Sequence, residues 1–246
     1  MTGNNIKISV CCSAIYVFRW LDCYNSLKDN KLEWELIFVG PNTPPFELPS
    51  NFKYIYSTTK PAQCYEIAFR QAQGELIHWT ADDSLYPPSA LDNIYNLYQT
   101  INNEKVVIAF RTIEDNRDIT DWHRFRGRDI TAPRMAPFGV MSRKLFHELG
   151  GYDKRFICGQ SENDVVMRVY EIGGTVKVSN IPIYVHHAKV HYAGTVFRSD
   201  YYFHDRLILE SMWVKDRIIQ TKRLEPVQSF SDEDILTVTQ GPKGKW

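Results

Sequence analysis

Ile6 to Cys12, IKISVCC, is an apolar run rich in β-branched residues. A run of this kind suits a central strand covered on both faces, which requires packed layers above and below it. Arg19 to Leu27 then sets Trp20, Leu21, Tyr24 and Leu27 at helical spacing, and Glu33 to Val39, EWELIFV, returns to strand composition before the breaker Gly40-Pro41-Asn42. These pieces make a β-α-β unit. Further strands are predicted at Phe52 to Tyr56, Leu76 to Trp79 and Lys105 to Phe110. Helices are predicted from Ala62 to Gln73, stopped by Gly74, and after Ser89. Ser89 and Asp92 have capping-box form, and Leu91, Ile94, Tyr95 and Tyr98 recur at i, i+3, i+4 and i+7. Strands alternating with helices of this length predict an α/β fold with a central, mostly parallel sheet flanked by helices.

Beyond Phe110 the pattern changes. Arg111 to Pro137 loses periodicity and reads as a functional loop, since so long a stretch without its own structure is uncommon inside a domain. Ser142 to Leu149 and Ser161 to Ile172 read as helices, each stopped by a glycine pair, with short strands at Thr175 to Val178 and Ile183 to Val185. Phe203 to Leu224 has helical periodicity with Leu207, Ile208, Met212 and Ile218 as inward positions, and from Glu225 the composition turns polar, which predicts fraying. The 246 residues are therefore expected to form one domain over 1–224, with a flexible tail over 225–246.

With 29 basic and 29 acidic residues the formal charge is zero, so no global field draws the chain to nucleic acid or to an anionic membrane, and any anionic ligand must be held locally. Cys11, Cys12, Cys23, Cys64 and Cys158 are odd in number and lack zinc-site spacing, and they read as reduced, mostly buried thiols. No run approaches the roughly 18 apolar residues needed to span a bilayer. The expectation is a soluble, cytoplasmic protein without a transmembrane segment. Its oligomeric state is not legible.

The chemistry centres on Gly74 to Pro88, GELIHWTADDSLYPP, a helix-stopping glycine, a short apolar strand, two adjacent carboxylates and a double proline. Carboxylates where a buried strand runs out into a loop can bind a divalent cation, which in turn can hold a diphosphate. A solvated turn starting the next helix is the alternative.

In order along the chain, ISVCC-SAIYV-FRWL, ELIFVGPN, AFRQAQGELIHWTADDSLYPPSAL and GGYDKRF…SENDVVMR resemble the motifs of family-2 glycosyltransferases. The resemblance covers roughly residues 6 to 190 and implies a single GT-A (Rossmann-like) domain, with residues 1–100 as nucleotide-sugar half, 101–200 as acceptor half and 201–224 as C-terminal helix. It implies transfer of a sugar from a nucleotide-diphosphate donor to a hydroxyl of a glycan or other acceptor, with inversion and with Mn²⁺ or Mg²⁺. Ala81-Asp82-Asp83 falls against the family's Asp-x-Asp, so the first Asp is missing. Asp83 keeps the metal role, Asp82 becomes a secondary ligand or ribose contact, and Gly40 stands where the family commonly has an Asp that reads the base. His187, after strand Ile183 to Val185, matches the family's later metal-site histidine better than His186 or His191.

Glu162 falls at the position of the family's catalytic Asp, and Asp164 is either a second candidate base or a capping-box partner of Ser161. Ser13 and Asn42 are nucleotide-loop candidates by position. Lys60, Gln63 and Tyr65 sit at a helix start, a natural anion site, although Tyr65 falls where the family often has Arg. Trp122 to Arg128, WHRFRGR, interleaves aromatic and basic residues. Neutral charge and the lack of a recognised motif argue against nucleic acid, so the segment reads as an acceptor loop, with Trp122 stacking on a sugar and Arg126 or Arg128 meeting phosphate or an acidic sugar, or else as a solvated charged loop. The absence of a glycine cluster after the first strand argues against a Rossmann dehydrogenase or methyltransferase. A catalytically inactive nucleotide-sugar or glycan-binding protein of the same fold is the second reading.

Overall fold

A computed structural model describes residues 5–185 and 200–236. The elements in order are β1 (Ile8–Ser13), α1 (Val17–Leu27), β2 (Trp34–Gly40), β3 (Phe52–Tyr56), α2 (Pro61–Gln71), β4 (Leu76–Trp79), β5 (Ser84–Leu85), α3 (Ala90–Thr100), β6 (Val106–Glu114), β7 (Arg117–Asp118), β8 (Gly139–Ser142), α4 (Arg143–Glu148), α5 (Ser161–Glu171), β9 (Thr175–Val185), α6 (Asp200–Trp213), β10 (Val214–Lys215), β11 (Ile218–Ile219) and α7 (Asp232–Leu236). One sheet runs in the order β3-β2-β1-β4-β8-β6-β9-β5, with β7 added to β6. β3, β2, β1 and β4 are parallel, as are β6 and β9, while β8 lies antiparallel to both β4 and β6.

Period-2 alternation along these buried strands divides the apolar side chains between two cores. Ile8, Val10 and Cys12 of β1 pack with Trp20 and Leu27 of α1 and Leu91 and Ile94 of α3. Cys11 joins Ala68 and Phe69 of α2, Phe146 of α4, Val166 and Val169 of α5 and Leu209 and Met212 of α6 on the opposite face. Gly74 permits close packing at the end of α2, where a Cβ would lie 2.6 Å from the Ser9 amide nitrogen. The cysteines are free thiols, all buried except the half-buried Cys158.

Several elements differ from the sequence reading for identifiable reasons. β6 continues to Glu114 and turns into β7 through Asp115 and Asn116, both at positive φ, so the expected loop begins as a hairpin. β8, at Gly139–Ser142, follows directly after that region and was not expected. Thr175 to Val185 is a single strand with a register shift against β6 rather than two strands. α6 stops at Trp213, and Asp216 and Arg217, again at positive φ, reverse the chain between β10 and β11. The expected capping box at Ser89 does not form. Ser89 is left-handed, and Asn30 Oδ1 accepts the Leu91 and Asp92 amides instead, at 2.7 and 3.2 Å. Of the expected tail, residues 237–246 lie outside the described residues, and 225–236 make specific contacts with the domain. Phe230 is buried, Ser229 bridges to Asp153, and Arg70 meets Asp232 at 2.6 Å. Among the described residues no helix is long and apolar enough to cross a membrane.

Candidate active site

Because β1, β2, β4 and β6 point the same way, their carboxyl ends open on one side of the sheet, and a ligand is expected in the crevice there. A cleft of about 730 Å³ lies at that edge. Ser13 ends β1 and Tyr16 follows it, Thr80 to Asp83 follow β4, Thr112 and Glu114 come from β6, and Glu162 and Asn163 come from the first turn of α5. Tyr65 of α2 lines the same cleft and donates to the Thr80 carbonyl at 2.6 Å. Gly40, at the end of β2, passes so close to Ala14 that a Cβ would sit 1.8 Å from its carbonyl oxygen. This contact leaves no room for a base-reading carboxylate at position 40.

The two adjacent aspartates divide their work. One oxygen of the buried Asp82 accepts the amides of Ile15 and Tyr16 at 2.7 and 2.5 Å and the Trp20 indole at 3.1 Å. Burial pushes its carboxyl up to about 6 against the pull of the Tyr16 bond, and the Asp83 charge adds to the rise. Asp82 thus anchors the β1–α1 loop through one carboxylate oxygen while the residue also lines the cleft. Asp83 is half-buried in the cleft wall. Behind the pair, the buried His78 bridges the Gly139 carbonyl and Tyr86, whose hydroxyl reaches Thr80 at 2.6 Å, and burial lowers the imidazole to about 4. A neutral ring linked in this way stiffens the strand end beneath the carboxylates.

Glu162 is half-buried, and burial raises its carboxyl to about 7, with hydrogen bonds from its own amide opposing and the Asp205 charge adding to the rise. Asp205, fully buried on α6, accepts the amides of Ile157, Cys158 and Gly159 at 3.0, 2.7 and 2.9 Å, fixing the loop that delivers Glu162. The next residue, Arg206, donates to the Phe125 carbonyl at 2.8 Å and so grips the opposite wall.

No family model matches the chain. A probable glycosyltransferase of Sulfolobus acidocaldarius is 24% identical over 193 residues, which cover 67% of this chain and 41% of that protein. S. aureus TarS in complex with UDP-GlcNAc superposes with a TM-score of 0.63 at 15% identity, covering 82% of this chain and 65% of its own. GalNAc-T7 with UDP, GalNAc and Mn²⁺ gives 0.65 at 12% identity over 87% of this chain and 49% of its own. The chain has the GT-A glycosyltransferase fold. The mannosyltransferase PcManGT of Pyrobaculum calidifontis, in complex with GDP-Man and Mn²⁺, extends the likeness with a TM-score of 0.57 at 14% identity over 78% of this chain and 59% of its own. The chain spans less than half the length of the curated relative.

Within this GT-A cleft the structure brings together Ser13, Tyr65, Asp82, Asp83, Trp122 and Glu162 of the residues expected from sequence. Others lie elsewhere. Asp164 is buried against Arg168, Arg223 and the Trp213 indole at 3.0, 2.9 and 2.8 Å, so it is neither a base nor a capping-box partner, and Gln160 occupies the N-cap. Lys60 donates to the Lys154 carbonyl beneath Phe230, and Gln63 donates to the Asp234 carbonyl at 2.7 Å. The first free amide of α2 is taken by the Ile157 carbonyl, so this helix start is no anion site. Asn42 buttresses the β1–α1 loop through the Ile15 carbonyl at 2.8 Å. Arg126 donates to the Arg217 carbonyl and Arg128 stacks 3.7 Å from the Trp122 ring centre, and neither lines the cleft. His187, with His186 and His191, lies outside the described residues. Among the described residues, the arginines that line the cleft are Arg19, Arg124 and Arg206. Arg19 was legible as the basic residue in the first turn of the helix after β1, whereas Arg206 emerges only from the packing of α6.

Proposed function

We propose that the chain transfers a sugar from a nucleotide-diphosphate donor to an acceptor hydroxyl, inverting the anomeric centre with Glu162 as general base. The observation that carries this reading is the convergence of Glu162 and Asp83, far apart in sequence, on one cleft at the carboxyl edge of a GT-A sheet. TarS with UDP-GlcNAc, GalNAc-T7 with UDP and Mn²⁺, and PcManGT with GDP-Man and Mn²⁺ support a donor of this class.

Among the described residues no group of three His, Cys, Asp or Glu side chains is arranged to hold a metal. One hard carboxylate suits a cation that would complete its shell with water and donor phosphates, and Asp83 would be that ligand. Bound there, Mn²⁺ or Mg²⁺ supplies charge neutralisation to the departing diphosphate. Arg19 adds a fixed positive charge in the same cleft. Glu162, raised to about 7, takes the acceptor proton as the acceptor oxygen bonds to the anomeric carbon and the bond to the diphosphate breaks. Trp122 offers a flat face at the acceptor side.

Transfer assayed over a panel of sugar nucleotides tests the reading. Turnover with one donor class is expected, and binding without turnover across the panel favours an inactive binding protein. UDP or GDP with Mn²⁺ is expected to raise the melting temperature, and chelation or Asp83→Asn to remove most of that rise. Because the base acts deprotonated, kcat/KM is expected to rise with pH through about 7. Asp205→Asn keeps an acceptor oxygen but removes the charge, so the limb should move to lower pH. An unmoved limb would show that the Asp205 charge does not act on Glu162.

A further inference from the structure

We propose that the face formed by the outer side of α6, the 126–130 loop and the β10–β11 turn is a docking surface for an anionic lipid bilayer. The four most exposed large apolar side chains among the described residues all belong to it: Ile130 at 76%, Phe203 at 71%, Leu207 at 68% and Ile218 at 64%. Phe203 and Leu207, four apart, share one face of α6. The three segments are joined, since Arg126 donates to the Arg217 carbonyl at 2.6 Å and Arg206 to the Phe125 carbonyl at 2.8 Å.

Exposed cations surround the apolar group. Arg126 and Arg128 come from the loop, and Lys215 and Arg217 from the turn. They outnumber the acidic residues there, Asp129, Asp216 and Glu210; the Asp129 carboxylate is occupied by the amide and hydroxyl of Thr131 at 2.9 and 2.6 Å, and Glu210 is paired with Arg206 at 3.0 Å. Apolar side chains interleaved with arginine and lysine match the bilayer interface, where acyl boundary and anionic headgroups lie within one side-chain length. The chain as a whole is formally neutral, so the attraction comes from this local patch and not from net charge. Tyr202 and Arg206 of α6 and Gly127 of the loop also line the cleft, which therefore opens beside the docking face. If the transferase reading holds, its acceptor side is turned toward the lipid surface. That consequence rests on the proposed function, and the docking does not.

Co-sedimentation of the full chain with vesicles tests the proposal. The chain is expected to bind vesicles of phosphatidylcholine and phosphatidylglycerol in equal amounts, to bind less as salt rises, and to leave pure phosphatidylcholine vesicles largely unbound. Phe203→Ser with Leu207→Ser should weaken binding by about tenfold or more. Lys215→Gln with Arg217→Asn, the asparagine chosen to tolerate positive φ, should weaken it roughly thirtyfold. Unchanged circular dichroism verifies that both variants are folded. Failure to bind the anionic vesicles, or equal binding by both variants, overturns the proposal. So does a concentration-dependent dimer dispersed by Phe203→Ser with Leu207→Ser in the absence of vesicle binding, which would assign the face to a second copy of the chain.

Discussion

Glu162→Gln is expected to lower turnover by about 10²- to 10⁴-fold while leaving the donor affinity within a few-fold of the parent. The amide is nearly isosteric, so it keeps the contacts of the first turn of α5 but cannot take the acceptor proton. It also removes a group that burial and the Asp205 charge hold near 7, so the acidic limb of the pH profile should vanish along with the activity. Steady-state transfer at several pH values, beside donor titration by calorimetry, separates the two effects. Full activity in this variant would remove Glu162 from the mechanism.

Asp164→Ala should act on stability instead. Arg168 and Arg223, almost fully buried, would keep their charges and lose the carboxylate at 3.0 and 2.9 Å, and the Trp213 indole would lose its acceptor. Breaking a buried ion pair by removing one partner costs about 3–5 kcal/mol. For a chain of this size that corresponds to a fall in melting temperature on the order of 10 °C. Arg223 also reaches Asp153 at 2.8 Å, so the loss should spread to the packing of residues 223–230 against the core. Thermal unfolding followed by circular dichroism checks this. A melting temperature within a degree or two of the parent would show that the network adds little.

The contrast between Glu162 and Asp164 marks where sequence reasoning succeeds and where it stops. Both carboxylates stand in SENDVVMR, and residue type and local spacing admit either as the base. Distant contacts decide: Asp164 is claimed by an arginine 59 residues downstream, while Glu162 is left facing the cleft. The same holds for Asp82 and Asp83, since Asp82 is turned inward by Trp20 and the amides at 15 and 16. The parallel strands were legible because burial on both faces leaves a continuous apolar signature in VCC, LIFV and VVIAF. β8 was not, because four residues, GVMS, carry too little pattern and their pairing is wholly non-local. The end of α6 escaped notice because neither Asp216 nor Arg217 is a glycine, the usual mark of positive φ.

The position of β8 has a consequence for how the molecule is made. β4 and β6 are separated in the chain only by the two-residue β5 and by α3, yet β8, from residues 139–142, sits between them in the sheet, pairing Leu76 with Ser142 and Ile108 with Val140. The β3-β2-β1-β4 array can assemble from the first 79 residues by short-range crossovers. β6 and everything hung on it have no edge to join until residues 139–142 arrive. Closing the sheet is therefore a late event with a large loop-closure entropy, and a nascent chain halted before residue 142 exposes the β4 edge as a template for another chain.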